Sequence, residues 1–95
     1  MIIQIDKNVT VVQSGDVVIV TRPCIMGGIA THTITSPYTA LEIAYWLQER
    51  LSHRRNALAQ EAFPDMSAED REFLMSGITP DHWNKMFPKD LERKA

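Results

Sequence analysis

The chain has 95 residues, 44% of them hydrophobic and 23% charged, with ten Lys and Arg against twelve Asp and Glu for a net charge of −2. That length supports one small domain rather than two independent cores, and that balance excludes wholesale disorder. The slight acidity disfavours a generic nucleic-acid binder, which carries a basic excess, and the single cysteine, Cys24, excludes an internal disulfide framework or a cysteine-rich zinc site. No apolar run approaches the roughly 20 residues of a membrane span. The opening MIIQIDKN lacks the basic start and long apolar stretch of a secretory signal. A soluble, cytoplasmic protein is predicted. A domain this short buries only about 60–65% of the surface its unfolded chain exposes, so its stability is modest and a partner covering one face adds to it.

Residues 1–35 read as strands, because β-branched residues dominate the runs IIQI, VTVV, VVIV and IATHTIT. Between the two valine runs, Gln13-Ser14-Gly15-Asp16 has the composition of a tight hairpin turn, with Gly15 able to take a positive φ. Met1–Ile5 reads as a short extension or extra strand, since Asp6-Lys7-Asn8 breaks the run. Val17 to Val20 is continuously apolar, which predicts burial on both faces. Pro23 ends that strand or confines it to an edge. Gly27-Gly28 makes a second turn. In the strand after it, Ile29, Thr31 and Thr33 share one face while Ala30, His32 and Ile34 share the other. That weak alternation suits an edge strand.

The remainder reads as helices. Ser36-Pro37 offers an N-cap hydroxyl followed by proline at the first helical position, and predicts a long helix over 36–62. Ala40, Ile43, Ala44, Leu47, Leu51 and Leu58 form its sheet-facing stripe. His53, Arg54 and Arg55 lie late in it, where cations favour the carbonyl end. Phe63-Pro64-Asp65 breaks the helix. Ser67-Ala68-Glu69-Asp70 approximates a capping box, with Asp in place of the usual Glu or Gln, and predicts a helix from Ala68 to about Ser76 that Gly77 stops as a left-handed cap. Thr79-Pro80 starts another helix, with Asp81 favourable in its first turn, ending before Pro88. The tail over 89–95 is charged and frayed.

Within 57–87, the stretch Ala62-Phe63-Pro64, the cap Ser67, Asp70-Arg71-Glu72-Phe73-Leu74, Gly77-Ile78-Thr79-Pro80, Trp83 and Phe87 together resemble a module of small uncharacterised bacteriophage proteins. The likeness covers about a third of the chain. Acidic residues usually precede the tryptophan in that family; Asp81 is retained here, but His82 replaces the second. The resemblance implies a phage or prophage setting and a compact helical module, and brings no activity with it.

Sites of chemistry are sparse. His32, His53 and His82 are far apart, and none has a neighbour at metal-ligand spacing. Cys24 lies between Pro23 and Ile25, the setting of a buried inert thiol. The glycine pairs lack the flanking pattern of a phosphate loop, and the carboxylates form no acid–base pair. No cofactor, metal, small-molecule substrate or enzymatic activity is expected. The two short helices around Gly77 could pass for a helix–turn–helix, but Glu69, Asp70, Glu72 and Asp81 are ill suited to lie among phosphates. Arg50, Arg54 and Arg55 are the only basic cluster, a solvated helix end or a contact for an acidic partner or nucleic acid.

The long helix is more informative. Tyr38, Leu41 and Tyr45 recur at three and four residues, away from the sheet-facing stripe, and Trp46 points to yet another side. One amphipathic helix needs a single buried face, so a second apolar face implies a cover. Either the C-terminal module folds back on it, or Tyr38, Leu41, Tyr45 and Trp46 form an interface, where tyrosine and tryptophan are enriched.

The sequence thus predicts an α+β fold in a single domain: a three-stranded antiparallel meander over 1–35, one long helix over 36–62, and a short helical pair over 63–88. As function it favours a non-enzymatic phage accessory protein that binds and inhibits a host protein, a defence or transcription component. A self-assembling virion or replication accessory is the alternative, and nucleic-acid binding through Arg50, Arg54 and Arg55 a further one.

Overall fold

A computed structural model describes residues 1–51 and 59–86. Among them, four strands, β1 (Ile2–Asp6), β2 (Val9–Ser14), β3 (Val17–Pro23) and β4 (Ile29–Ile34), form one antiparallel sheet in the order β1-β2-β3-β4. Four helical segments follow: α1 (Ala40–Leu51), α2 (Ala59–Ala62), α3 (Ala68–Ser76) and α4 (Pro80–Met86). The fold is α+β, with no helix among the described residues long and apolar enough to cross a membrane.

The sheet has four strands where the sequence predicts three. Asp6 pairs with Val9, so Lys7-Asn8 is a two-residue turn rather than a break. The Asp6 carboxylate accepts the Lys7 N–H at 2.7 Å, and a bulge between Gln4 and Asp6 bends β1 into it. The next turn is also shorter than its composition implied. Gln13 and Ser14 belong to β2, Ser14 pairs with Val17, and only Gly15-Asp16 remains outside the strands, with Gly15 at φ +59°.

One face of the sheet is the core face. It carries Ile3, Val11, Val20 and His32 in one cross-strand row and Val18 and Ile34 in another. The opposite face carries Ile2, Val12, Ile19 and Thr33, then Gln4, Thr10, Thr21 and Thr31. The expectation that Val17 to Val20 is buried on both sides fails. Val18 and Val20 are buried, whereas Val17 and Ile19 are only half-buried. The strand alternates because, among the described residues, helices cover one face only. β4 keeps its predicted alternation, with Ala30, His32 and Ile34 inward and Ile29, Thr31 and Thr33 exposed.

Of the predicted helix over 36–62, the described residues include α1, which starts later, and the one-turn α2; 52–58 lie outside the described residues. α1 starts at Ala40 rather than Pro37 because Thr39 and Glu42 form a capping box. The Glu42 carboxylate accepts the Thr39 N–H at 3.1 Å, and Thr39 Oγ1 accepts the Glu42 N–H at 3.4 Å. Ser36 closes a local turn instead, its Oγ accepting the Tyr38 N–H at 3.3 Å. Ala40, Ile43, Ala44 and Leu47 are buried and Leu51 is partly so; Leu58 lies outside the described residues. α3 and α4 begin and α3 ends where predicted. Ser67 Oγ accepts the Asp70 N–H at 3.1 Å, Gly77 takes a left-handed φ of +81°, and Thr79 Oγ1 accepts the His82 N–H at 3.2 Å.

Polar side chains at the margins of the core face hold the helices in place. Gln13 Oε1 accepts the Ala40 N–H, one of the free donors at the start of α1, at 2.8 Å. His32 Nε2 meets Asp70 Oδ1 in the first turn of α3 at 2.6 Å. Arg22, 5% exposed, donates to the Leu74 carbonyl in the last turn of α3 at 2.6 Å. Burial pushes the pKa of its guanidinium below the ordinary arginine value, the charge of Arg50 adds to that, and Cys24 opposes it. The Ile25 N–H donates to the Ser76 carbonyl at 2.9 Å, and a Cβ on Gly77 would lie 2.6 Å from the Pro23 carbonyl oxygen. Glycine is therefore required at 77 both by its φ and by the closeness of the β3 backbone.

Candidate functional site

The four residues that sequence spacing groups on one helix divide into two pairs. Tyr38 precedes α1 and is half-buried against the core. Its ring meets Phe63 edge-on at 4.9 Å between centroids, and its hydroxyl oxygen accepts the Asp65 N–H at 3.1 Å. Trp46 is 6% exposed and also meets the Phe63 ring edge-on, at 5.8 Å between centroids. These two aromatics are covered from within the chain, by the segment that breaks the helical run. Leu41 and Tyr45, one turn apart on α1, stay 61% and 62% exposed.

Beside them runs an open groove of about 450 Å³, lined by Leu41, Tyr45, Trp46, Ala62 and Phe63, with Glu42, Glu49 and Arg50 at its rim. Its floor is fixed from several sides. Phe63 N–H donates to the Ala59 carbonyl at 2.8 Å, and Arg71 of α3 donates to the Phe63 carbonyl at 3.4 Å. With Tyr38 held on Asp65, the Phe63–Asp65 turn is tied to both the start of α1 and the body of α3. The Arg50 guanidinium lies 6.0 Å from the centre of the Trp46 ring. The Trp46 indole N–H is buried with no acceptor among the described residues.

Aromatic rings and two exposed side chains on one helix thus frame an apolar seat of the size of a side chain or small ligand. Leu41 and Tyr45 were legible from their spacing. Phe63 and Ala62 were not, because they reach the groove from the end of the one-turn α2 and the turn after it, which carry no periodic signal. Its one available clue was an aromatic residue directly before a helix-breaking proline.

The remaining candidates are dispersed. Of the basic cluster, Arg50 is half-buried over the indole, while Arg54 and Arg55 lie outside the described residues, as does His53. His32 is paired with Asp70 and packs 5.1 Å from the Phe73 ring, and His82 is half-buried in α4. Among the described residues, no three His, Cys, Asp or Glu side chains come together as a metal site would require. Cys24 is buried, its sulfur accepting the Met26 N–H at 3.4 Å. In the helical pair, Phe73, Leu74 and Ile78 are buried as a small core would require, but Trp83 is 43% exposed beside a second groove lined by Glu69, Glu72, Ile78 and Pro80; Phe87 lies outside the described residues. No protein-family model, curated protein or solved structure matches this chain.

Proposed function

We propose that this chain is a non-enzymatic protein-binding module that blocks a surface of a host protein by seating one of that protein's apolar side chains in the α1 groove. The observation that carries the reading is the exposure of Leu41 and Tyr45 above a floor made rigid by Trp46 and Phe63. Leucine and tyrosine left in water on a helix whose other apolar residues are buried or partly buried are suited to a partner, and an aromatic-lined seat is the usual setting of an energetic hot spot. The phage setting rests on the resemblance over 57–87, which brings no activity with it, and the inhibitory role rests on the exposed apolar face of α1; a small rigid domain inhibits by occlusion and needs no chemistry of its own. Nucleic acid is the weaker partner, since Arg50 lies against the indole and Glu42 and Glu49 share its rim.

A photo-crosslinking phenylalanine analogue in place of Tyr45 tests this in bacterial lysate. The protein it captures is purified and titrated with the wild-type chain and with Leu41→Glu. The expected result is saturable one-to-one binding that inhibits the captured protein and weakens at least tenfold in the variant. Equal binding by both chains, or binding without inhibition, would sink the reading.

A further inference from the structure

The sheet face turned away from the helices has a composition that ordinary solvation does not explain. No outward-facing position on β1 to β4 is buried, so no described element covers this face. Yet an apolar row, Ile2–Val12–Ile19, crosses three strands and ends on Thr33, and Ile2 is 73% exposed. A row of hydroxyls runs parallel to it, with Thr21 and Thr31 hydrogen-bonded through their Oγ1 atoms at 2.9 Å. Pro23 and Ile29, the latter 57% exposed, continue the face toward the β3–β4 turn. None of these side chains is charged, although 23% of the chain is; the exposed Asp6 lies beyond the bulge, at the end of β1. Sheets that keep one face in water normally line it with polar and charged residues and guard it with lysine and glutamate.

We infer that this face is a self-association surface on which a second copy of the chain packs sheet against sheet. The absence of charge selects that occupant. A charged partner would find nothing on this face to pair with, whereas two copies of a net-acidic chain meet here without bringing like charges together. Twofold pairing places the β-branched row of one copy against the same face of the other, so the surface complements itself. Two pleated faces pack about 10 Å apart with their strands within about 30° of parallel. The result is a layered α/β/β/α dimer that leaves both α1 grooves open. Four strands at about 4.8 Å and six residues at about 3.4 Å give about 400 Å² of projected face per copy. That extent fits a reversible, concentration-dependent dimer and not an obligate one.

Sedimentation velocity on the full chain, from about 5 μM to about 1 mM, tests the inference across the range expected of a small interface. Wild type is expected to shift from the mass of one chain toward two. Ile19→Lys, which places a cation at the centre of the face, is expected to stay monomeric with an unchanged circular dichroism spectrum. Tyr45→Lys, on α1, is expected to dimerise like wild type. Should Ile19→Lys fail to fold, Thr33→Lys on the exposed edge strand extends the same row and is expected to weaken the dimer at least tenfold. A wild type that stays monomeric throughout, a dimer that ignores both sheet variants, or a dimer lost on Tyr45→Lys would each overturn the inference.

Discussion

The two faces of the sheet are built from the same kinds of residue and have different fates. Val11 and Val12 are neighbours in β2; Val11 is buried beneath the helices, and Val12 is half-buried on the open side. The same split separates Val18 from Val17 and Val20 from Ile19 in β3. Apolar content alone does not decide which face the helices cover. The difference lies in the polar residues at the margins. The core face carries Gln13, Arg22 and His32, each bonded to a helix terminus, while the open face carries threonines and Gln4, which reach no helix. A helix docks where its unpaired end groups find partners as well as where its apolar stripe finds a surface.

The sharpest way to break that arrangement is at Gly77. An alanine there must hold a left-handed φ, costing about 1–3 kcal/mol. Its Cβ would also meet the Pro23 carbonyl oxygen at 2.6 Å and Cys24 Cα at 2.7 Å, backbone atoms that cannot step aside. Gly77→Ala is therefore expected to destabilise the chain by more than about 3 kcal/mol, read as a fall in the denaturation midpoint. A loss below about 1 kcal/mol would mean that α3 is not clamped to the end of β3.

The valine pair tests the faces directly. Val11→Thr buries a hydroxyl and should cost about 1–3 kcal/mol, whereas Val12→Thr extends a threonine-rich surface and should stay within about 0.5 kcal/mol. Urea denaturation at low micromolar concentration, where one chain is measured alone, compares them. Equal losses would mean that the open face is covered within the chain.

What the sequence disclosed divides along the same line. Features fixed by neighbouring residues were legible: the β-branched runs, the turn at Gly15, the alternation of β4, and the caps Ser67, Gly77 and Thr79. Where two local signals compete, the more conspicuous one is not the one the fold obeys. Ser36-Pro37 looks like a helix start, but Thr39 and Glu42 satisfy two donors reciprocally and prevail. Asp6-Lys7-Asn8 looks like a break, yet it is the turn that makes β1 a strand. The docking contacts join residues 27, 38 and 52 positions apart, and no local pattern encodes such pairings. The candidate groove shows both cases. Helical spacing disclosed Leu41 and Tyr45, but Tyr38 and Trp46 belong to the core because Phe63 returns from later in the chain to cover them.

The smallest expected effect isolates one of those long-range contacts. Asp70 occupies the capping-box position three residues after Ser67, where Glu or Gln would reach back to the cap. Its shorter carboxylate meets His32 on the neighbouring sheet instead, at 2.6 Å. Both side chains are mostly buried, 18% and 12% exposed, so the pair is shielded from solvent more than a surface ion pair is. It is also the only one of the three docking contacts in which both partners are side chains, so each can be removed independently. In a double-mutant cycle of His32→Ala, Asp70→Ala and the double variant, the coupling energy is expected to be about 1–2 kcal/mol in favour of the pair. Asp70→Ala should also lose a favourable charge at the start of α3, about 0.3–1 kcal/mol that the cycle subtracts. Strict additivity would mean that the apolar contact of α3 with the core face, through Phe73 and Leu74, is enough to hold the helix, and that the polar margin follows its position without setting it.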